Sequence, residues 1–286
     1  MICRLALPND RYGYLMPPED AMMYRDGAIA VGDGITRDAS RDMDFKKRSI
    51  EELLKTYPNP SGARFAADLF CEAFTEPGSK NPDPSEIKKR FINANARIAK
   101  LNSKSIKRVD YLVNDFYGCA AAGVLISDGK LFWGVIADCG VIIYSKTGKT
   151  KFQSPNSMAT FEKYTADGKI TFKWETEEGR RLVRSQYRNN PTQTIDGVCV
   201  SYGALTGEKT AEPFICTGVQ TIGKGDLIIV YSDGFEPLVK RPDFFKTVYN
   251  KSESIFEQKL IPFSLGLAKV DYEKYGKERS LIATIY

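Results

Sequence analysis

Histidine is absent from the 286 residues. That absence excludes Ser-His-Asp and Cys-His nucleophile systems, zinc sites built on imidazole, and any imidazole general acid or base. Chemistry in this chain has to run on carboxylates, backbone groups, Lys, Arg, Tyr, Cys or metal-bound water. Cysteine is sparse: Cys3, Cys71, Cys119, Cys139, Cys199 and Cys216 show no CxxC spacing. Most sit in apolar stretches such as GCAAAGVLI and read as small buried hydrophobes in a reducing compartment, not as a disulfide framework or a catalytic thiol. No segment reaches the ~18 apolar residues of a membrane span, and the opening MICRLALPNDR lacks the long apolar core of a signal peptide. The expected location is cytoplasmic, with no membrane partner. A strong charge imbalance is missing too. The 41 Lys+Arg against 36 Asp+Glu give +5, spread along the chain, with KKR at 46–48 and GRRLVR at 179–184 as the clusters. No basic stripe for nucleic acid results, although an anionic substrate is compatible.

The remaining composition is that of a folded protein, with 42% hydrophobic and 12% aromatic residues, enough for one domain over 1–286. Repeats, low-complexity tracts and long linkers are lacking. GAIAVGDG reads as a strand after a turn at Asp26-Gly27. Residues 49–57 (SIEELLKTY) suggest a short helix. Ser61 is placed to cap another through Phe65, Ala66, Leu69, Phe70 and Ala73, and a third follows Ser85 with Ile87, Phe91, Ala94, Ile98 and Leu101 on one face. GCAAAGVLI, KLFWGVIAD and VIIYS then suggest a three-stranded meander, and Ala166-Asp167-Gly168 a further hairpin before KITFKW. Residues 179–191 fit either a polar helix or a loop. GVCVSYG, DLIIVYSDG and the closing SLIATIY read as strands. Strands, paired helices and many strands with short turns predict an α+β domain with helices packed on antiparallel sheets. The polar, poorly patterned stretch 149–190 is a candidate insertion.

Four acidic positions share one context, an acid at the end of an apolar strand beside a glycine or a turn: Glu19-Asp20, Asp33-Gly34, Asp138 and Asp233-Gly234. A carboxylate there is costly unless it is hydrogen-bonded, paired or bound to a cation. Several such ends brought together make an oxygen-rich pocket for Mg2+ or Mn2+. Asp128-Gly129 and Asp167-Gly168 read as ordinary turns, because lysine and a new strand follow at once.

The ordered series ED(x)12DG, GCAAAGVLI, ADCGVIIYSKTG, GALTGE, GDLIIVYSDGF and ERSLIATIY resembles the metal-dependent serine/threonine protein phosphatases of type 2C (PPM-type), from about Glu19 to Tyr286. The resemblance implies a central sandwich of two antiparallel β-sheets flanked by α-helices. It also implies hydrolysis of phosphoserine or phosphothreonine by a water activated between two divalent ions, Mn2+ or Mg2+. By position, Asp20 and Asp33 are the catalytic acids. Asp20 would bind one ion, Asp33 would bridge the pair, the Gly34 carbonyl would bind the other, and Asp233 would complete the first. Glu19 corresponds to an acid behind the ligands that holds metal-bound waters, and Asp138 to the site of a third, weaker ion.

The sequence also departs from the family's pattern. Lys277 stands where the family has its C-terminal Asp ligand. Glu278, one place later, is the candidate to replace it. The family's phosphate-gripping Arg falls at Leu15, so Arg11 or Arg37 would have to substitute, and Arg37, three residues after Gly34, is the better phosphate-binding candidate. The partner implied is a phosphorylated protein. The alternative is a catalytically impaired pseudophosphatase, a phosphoprotein-binding or scaffolding module whose metal site Lys277 disables.

Overall fold

The computed structural model describes residues 2–8, 17–35, 57–78, 82–174, 176–249 and 252–286. The helix expected over 49–57 falls outside these apart from Tyr57, and Arg11 and Arg37 fall outside them as well. Two five-stranded sheets form the centre. The first contains β2 (Ala21–Arg25), β3 (Ala28–Ile35), β4 (Gly118–Ser127), β5 (Lys130–Ile136) and β10 (Cys216–Thr221) in the order β10-β5-β4-β3-β2. The second contains β1 (Ile2–Leu7), β6 (Gly140–Tyr144), β7 (Thr150–Gln153), β11 (Leu227–Tyr231) and β12 (Arg279–Ile285) in the order β1-β12-β11-β6-β7. Every pairing within them is antiparallel.

Strand alternation builds the layers. On β3 and β4, Ile29, Val31, Ala120, Ala122 and Val124 meet Val141, Ile143, Ile228, Val230 and Ile282 of the second sheet. The alternate residues Ala28, Ala30, Ala121 and Leu125 face helices α1 (Gly62–Phe74) and α2 (Pro84–Ser105). Residues are small on that face because the helices lie close. A Cβ on Gly123 would come within 2.6 Å of the Phe74 ring. The caps follow the chemistry of helix starts, Ser61 accepting from the Arg64 N–H and Asp83 from the Glu86 N–H. The second sheet is covered by α5 (Glu236–Val239), α6 (Phe244–Val248), α7 (Glu253–Val270) and α8 (Tyr272–Tyr275), through Leu238, Phe244, Phe256, Leu260 and Tyr275. The result is the expected α+β sandwich of two antiparallel sheets between helices.

Two sequence readings are corrected. GCAAAGVLI, KLFWGVIAD and VIIYS do not form one meander, because β5 stays in the first sheet and β6 crosses to the second. The crossing is made at Ala137, whose φ of +63° turns the chain just before Asp138. The hairpin expected at 166–168 is instead the end of helix α3 (Ala159–Ala166), where Gly168 takes φ +70° and Lys169 and Ile170 N–H both donate to the Tyr164 carbonyl. Residues 179–191 contain most of helix α4 (Glu177–Leu182) and a π-turn over Val183–Tyr187. Between β7 and β10 the chain holds a short antiparallel pair, β8 (Thr194–Ile195) and β9 (Val198–Cys199), and its own apolar cluster of Phe161, Ile170, Val183, Tyr187, Val200 and Tyr202.

Candidate functional site

The strand directions gather the acids at one end of the sandwich. Asp33 lies near the end of β3, on the face of Ile29 and Val31, and pairs with Ala120 near the start of β4. Asp20 immediately precedes β2, the antiparallel neighbour of β3. Asp138 follows β5, Asp233 follows β11, and Lys277 and Glu278 precede β12, whose Leu281 pairs with Tyr231. Asp33, Asp138 and Asp233, from three segments far apart in sequence, thus line one cleft of about 300 Å³.

Close backbone approach fixes two of these corners. A Cβ on Gly34 would lie 2.7 Å from the Glu19 carbonyl oxygen, and one on Gly234 would lie 2.1 Å from the Glu278 carbonyl oxygen. Each glycine therefore lets an acid-bearing strand end abut the segment opposite. Asp20 is buried behind the cleft. Its carboxylate accepts from the Ser232 hydroxyl at 2.7 Å, its N–H donates to Glu278 Oε1 at 3.0 Å, and its carbonyl accepts from Arg64 Nη1 at 2.8 Å. Ser232 also accepts from the Ser280 N–H at 2.8 Å, which ties the ends of β11 and β12 to the same acid.

The electrostatics are those of crowded like charges. Burial, then Asp20, Asp233 and Asp138, push the Asp33 carboxyl well above the ordinary range. Burial and the Glu278 charge do the same to Asp20, against the Ser232 hydrogen bond. Asp138 is pushed up to about 7 by burial and Asp233, with Lys277 opposing. Such a set favours a cation. One is already present: Lys277 Nζ donates to Asp233 Oδ2 at 2.6 Å. Burial works against the ammonium, but Asp233, Asp138 and Asp33 outweigh it and raise its pKa.

Glu278 and Glu19 are engaged elsewhere. Glu278 Oε1 accepts from the Glu19 and Asp20 N–H groups at 2.9 and 3.0 Å, and Oε2 accepts from Glu19 N–H at 3.1 Å. It acts as a clamp on the loop that carries Asp20. The Glu19 carboxylate accepts from the Tyr57 and Ser61 hydroxyls, both at 2.5 Å, and lines a separate pocket of about 250 Å³.

Hard oxygen donors that repel one another suit a divalent ion by chemistry. Among the described residues, however, no group of three or more His, Cys, Asp or Glu side chains is drawn together closely enough to hold a metal. Asp33 is the acid on which the charges of Asp20, Asp233 and Asp138 all bear, and the Lys277 ammonium already occupies Asp233.

Sequence reasoning missed Ser232, Arg64 and the whole opposite wall of the cleft, formed by Arg184, Arg188, Tyr202 and Trp174. Ser232 was within reach, as the residue before Asp233. Nothing periodic marks the wall.

No protein-family model and no curated protein matches the sequence. Solved structures do match the fold. The serine/threonine phosphatase PstP/Ppp of Mycobacterium tuberculosis superposes with a TM-score of 0.63 at 13% identity, over 100% of this chain and 98% of that one. The catalytic domain of PstP in complex with two manganese ions gives 0.59 at 12% identity, over 99% and 96% of the two chains. Stp1 from Staphylococcus aureus gives 0.59 at 11%, over 100% and 94%. The chain has the fold of the PP2C-type serine/threonine phosphatases. Among the described residues no helix is long and apolar enough to cross a membrane.

Proposed function

We propose that this chain, with that fold over 1–286 and an insertion at about 149–190, is a Mg2+- or Mn2+-dependent phosphatase. Its substrates are phosphoserine or phosphothreonine in proteins. The observation that carries the reading is that Asp33, Asp138 and Asp233, from three separate strand ends, line one cleft with Asp20 buried against Asp33, in a chain without histidine. The PstP complex with two manganese ions supports the choice of metal. In this reading Asp20, Asp33, Asp138 and the Gly34 carbonyl would hold the metal, and Asp233 would join them once Lys277 releases it. A divalent ion there would supply charge neutralisation and acidify a water for attack on a phosphate monoester.

The chain's own residues supply the rest. Ser232 and Arg64 orient Asp20 from behind. Glu278 fixes the 19–20 loop, and Glu19, locked by Tyr57 and Ser61, holds that loop against α1. Arg37 is the candidate for gripping phosphate from the neighbouring segment. Asp33→Asn and Asp233→Asn, assayed on a phosphothreonine peptide with Mn2+, should each lose at least about 100-fold in rate, the scale of removing a group that stabilises the transition state. Wild-type rates in either variant would sink the reading.

A second reading is favoured by one contact. The Lys277–Asp233 ion pair places a positive charge where the resemblance to the phosphatases implies an acid, so the chain could bind phosphoproteins without turning them over. It predicts weak Mn2+ binding and no hydrolysis.

A further inference from the structure

Lys277 has a fixed root and an exposed tip. Its carbonyl accepts from Arg279 Nη1 at 2.6 Å, and Arg279, itself 1% exposed, donates from Nε to the Ser264 hydroxyl at 2.6 Å. The next residue is pinned as well. The Glu278 carboxylate holds the Glu19 and Asp20 N–H groups, and its carbonyl lies so close to Gly234 that a Cβ there would come within 2.1 Å. The Lys277 side chain, by contrast, is 58% exposed, and among the described residues its ammonium donates to a single carboxylate, Asp233 Oδ2, at 2.6 Å. An ammonium carries three donors, so two more are available to a ligand.

Stability does not account for a lysine at this place. An ion pair this exposed contributes little to folding, and its charge competes with any cation the acids would hold. Burial opposes the Lys277 charge while Asp233, Asp138 and Asp33 favour it. The same three acids line the cleft, so a ligand entering it meets the ammonium. The arginines of the lining are committed to Asp115: Arg188 donates to both of its oxygens, at 2.9 and 2.6 Å, and Arg184 Nε lies 3.6 Å from it. A phosphate monoester carries oxygens that take hydrogen bonds from a cation, and a compact ammonium on a flexible four-carbon stem is suited to reach them.

We propose that Lys277 binds the substrate phosphate, pairing with Asp233 while the cleft holds no phosphate and turning to the phosphate oxygens once Asp233 serves the metal. The inference rests on the proposed function for the identity of the anion, and it applies to the hydrolase and to the phosphoprotein-binding module alike. It assigns the contact to the start of β12, separate from Arg37, and gives the departure at Lys277 a role in place of a defect.

Phosphate binding tests it apart from turnover. The full-length protein and its Lys277→Gln and Lys277→Arg variants are titrated first with Mg2+. Each is then held in saturating Mg2+ and titrated by calorimetry with inorganic phosphate and with a peptide carrying a phosphonate analogue of phosphothreonine. Lys277→Gln should weaken both ligands on the order of tenfold or more, the loss of a charge-assisted hydrogen bond, without weakening Mg2+. Lys277→Arg keeps the charge and should stay within a few-fold of the parent. A parent that binds no phosphate would overturn the proposal, as would a folded Lys277→Gln protein that binds phosphate like its parent or loses it only because it has lost Mg2+. The unaltered protein gives a second readout that no variant has to fold for. Phosphate in Mg2+ should protect Lys277 several-fold from an amine-acylating reagent, read by peptide mass spectrometry, and equal labelling with and without phosphate would overturn the proposal. Phosphate binding that depends on Lys277 in a chain without turnover would remove the hydrolase reading and leave this contact standing. Turnover together with phosphate affinity indifferent to Lys277→Gln would do the reverse.

Discussion

At the residue scale, the decisive position is Lys277. Its ammonium already satisfies Asp233 at 2.6 Å, yet the lysine side chain is 58% exposed and can swing away. Lys277→Asp should therefore tighten Mn2+ at least about tenfold, by adding an oxygen ligand and removing a competing cation. Calorimetric titration of both proteins checks this, and equal affinities would contradict it. Glu278 predicts the opposite kind of effect. Because it holds two backbone N–H groups, Glu278→Ala should cost about 1–3 kcal/mol of stability in urea unfolding, through the loop that carries Asp20. Asp138 supplies the pH dependence. In chelator, burial and Asp233 raise its pKa to about 7, so between roughly pH 4 and 7 the folded chain keeps a proton that the unfolded chain has lost. That contribution to stability is present at the acid end of the window and disappears as pH rises through 7. Thermal unfolding of Asp138→Asn against wild type should show the difference in slope, and parallel curves would refute it.

At the scale of elements, strand ends matter more than strands. β3 carries Asp33 two residues before its end, β5 and β11 are followed within two residues by Asp138 and Asp233, and β2 and β12 each begin just after an acid. Antiparallel pairing within each sheet, together with the packing of one sheet on the other, puts all five at the same end of the sandwich. Gly234 is the tightest of these junctions. Gly234→Ala drives a Cβ to 2.1 Å from the Glu278 carbonyl oxygen, so it should cost at least about 1–3 kcal/mol, as overpacking does, and displace Asp233 as well. Denaturant midpoints and Mn2+ affinity measured together would show both losses. A fully stable Gly234→Ala protein would mean that β11 and β12 do not meet there as described.

Much of this arrangement was readable beforehand. The apolar run of GAIAVGDG, the Ser61 cap before α1, the apolar face of α2 and acids beside glycine at strand ends are local signals, written within a few residues. The crossing of β5 to β6 was not readable, because Ala137 carries no mark of a positive φ. The partners of Glu278 and the Arg184–Asp115–Arg188 group were hidden for a different reason. Arg188 and Asp115 are 73 positions apart, and their pairing exists only once the 154–202 segment folds over the cleft.

At the scale of the molecule, the two sheets make a rigid frame with a shared apolar centre of Ile29, Val31, Val141, Ile228 and Ile282. The cleft is where that centre gives way to charge. Its lining carries Asp33, Asp138 and Asp233 together with Arg184 and Arg188. The measurement that tests the central claim most directly is the initial rate on a phosphothreonine peptide as Mn2+ is titrated, for wild type, Asp33→Asn and Lys277→Asp side by side. Wild type should turn over with metal and stop in chelator. Asp33→Asn should be at least about 100-fold slower, and Lys277→Asp should saturate at lower Mn2+. Absence of turnover at any Mn2+ concentration in a folded wild-type chain, or equal rates in wild type and Asp33→Asn, would contradict it.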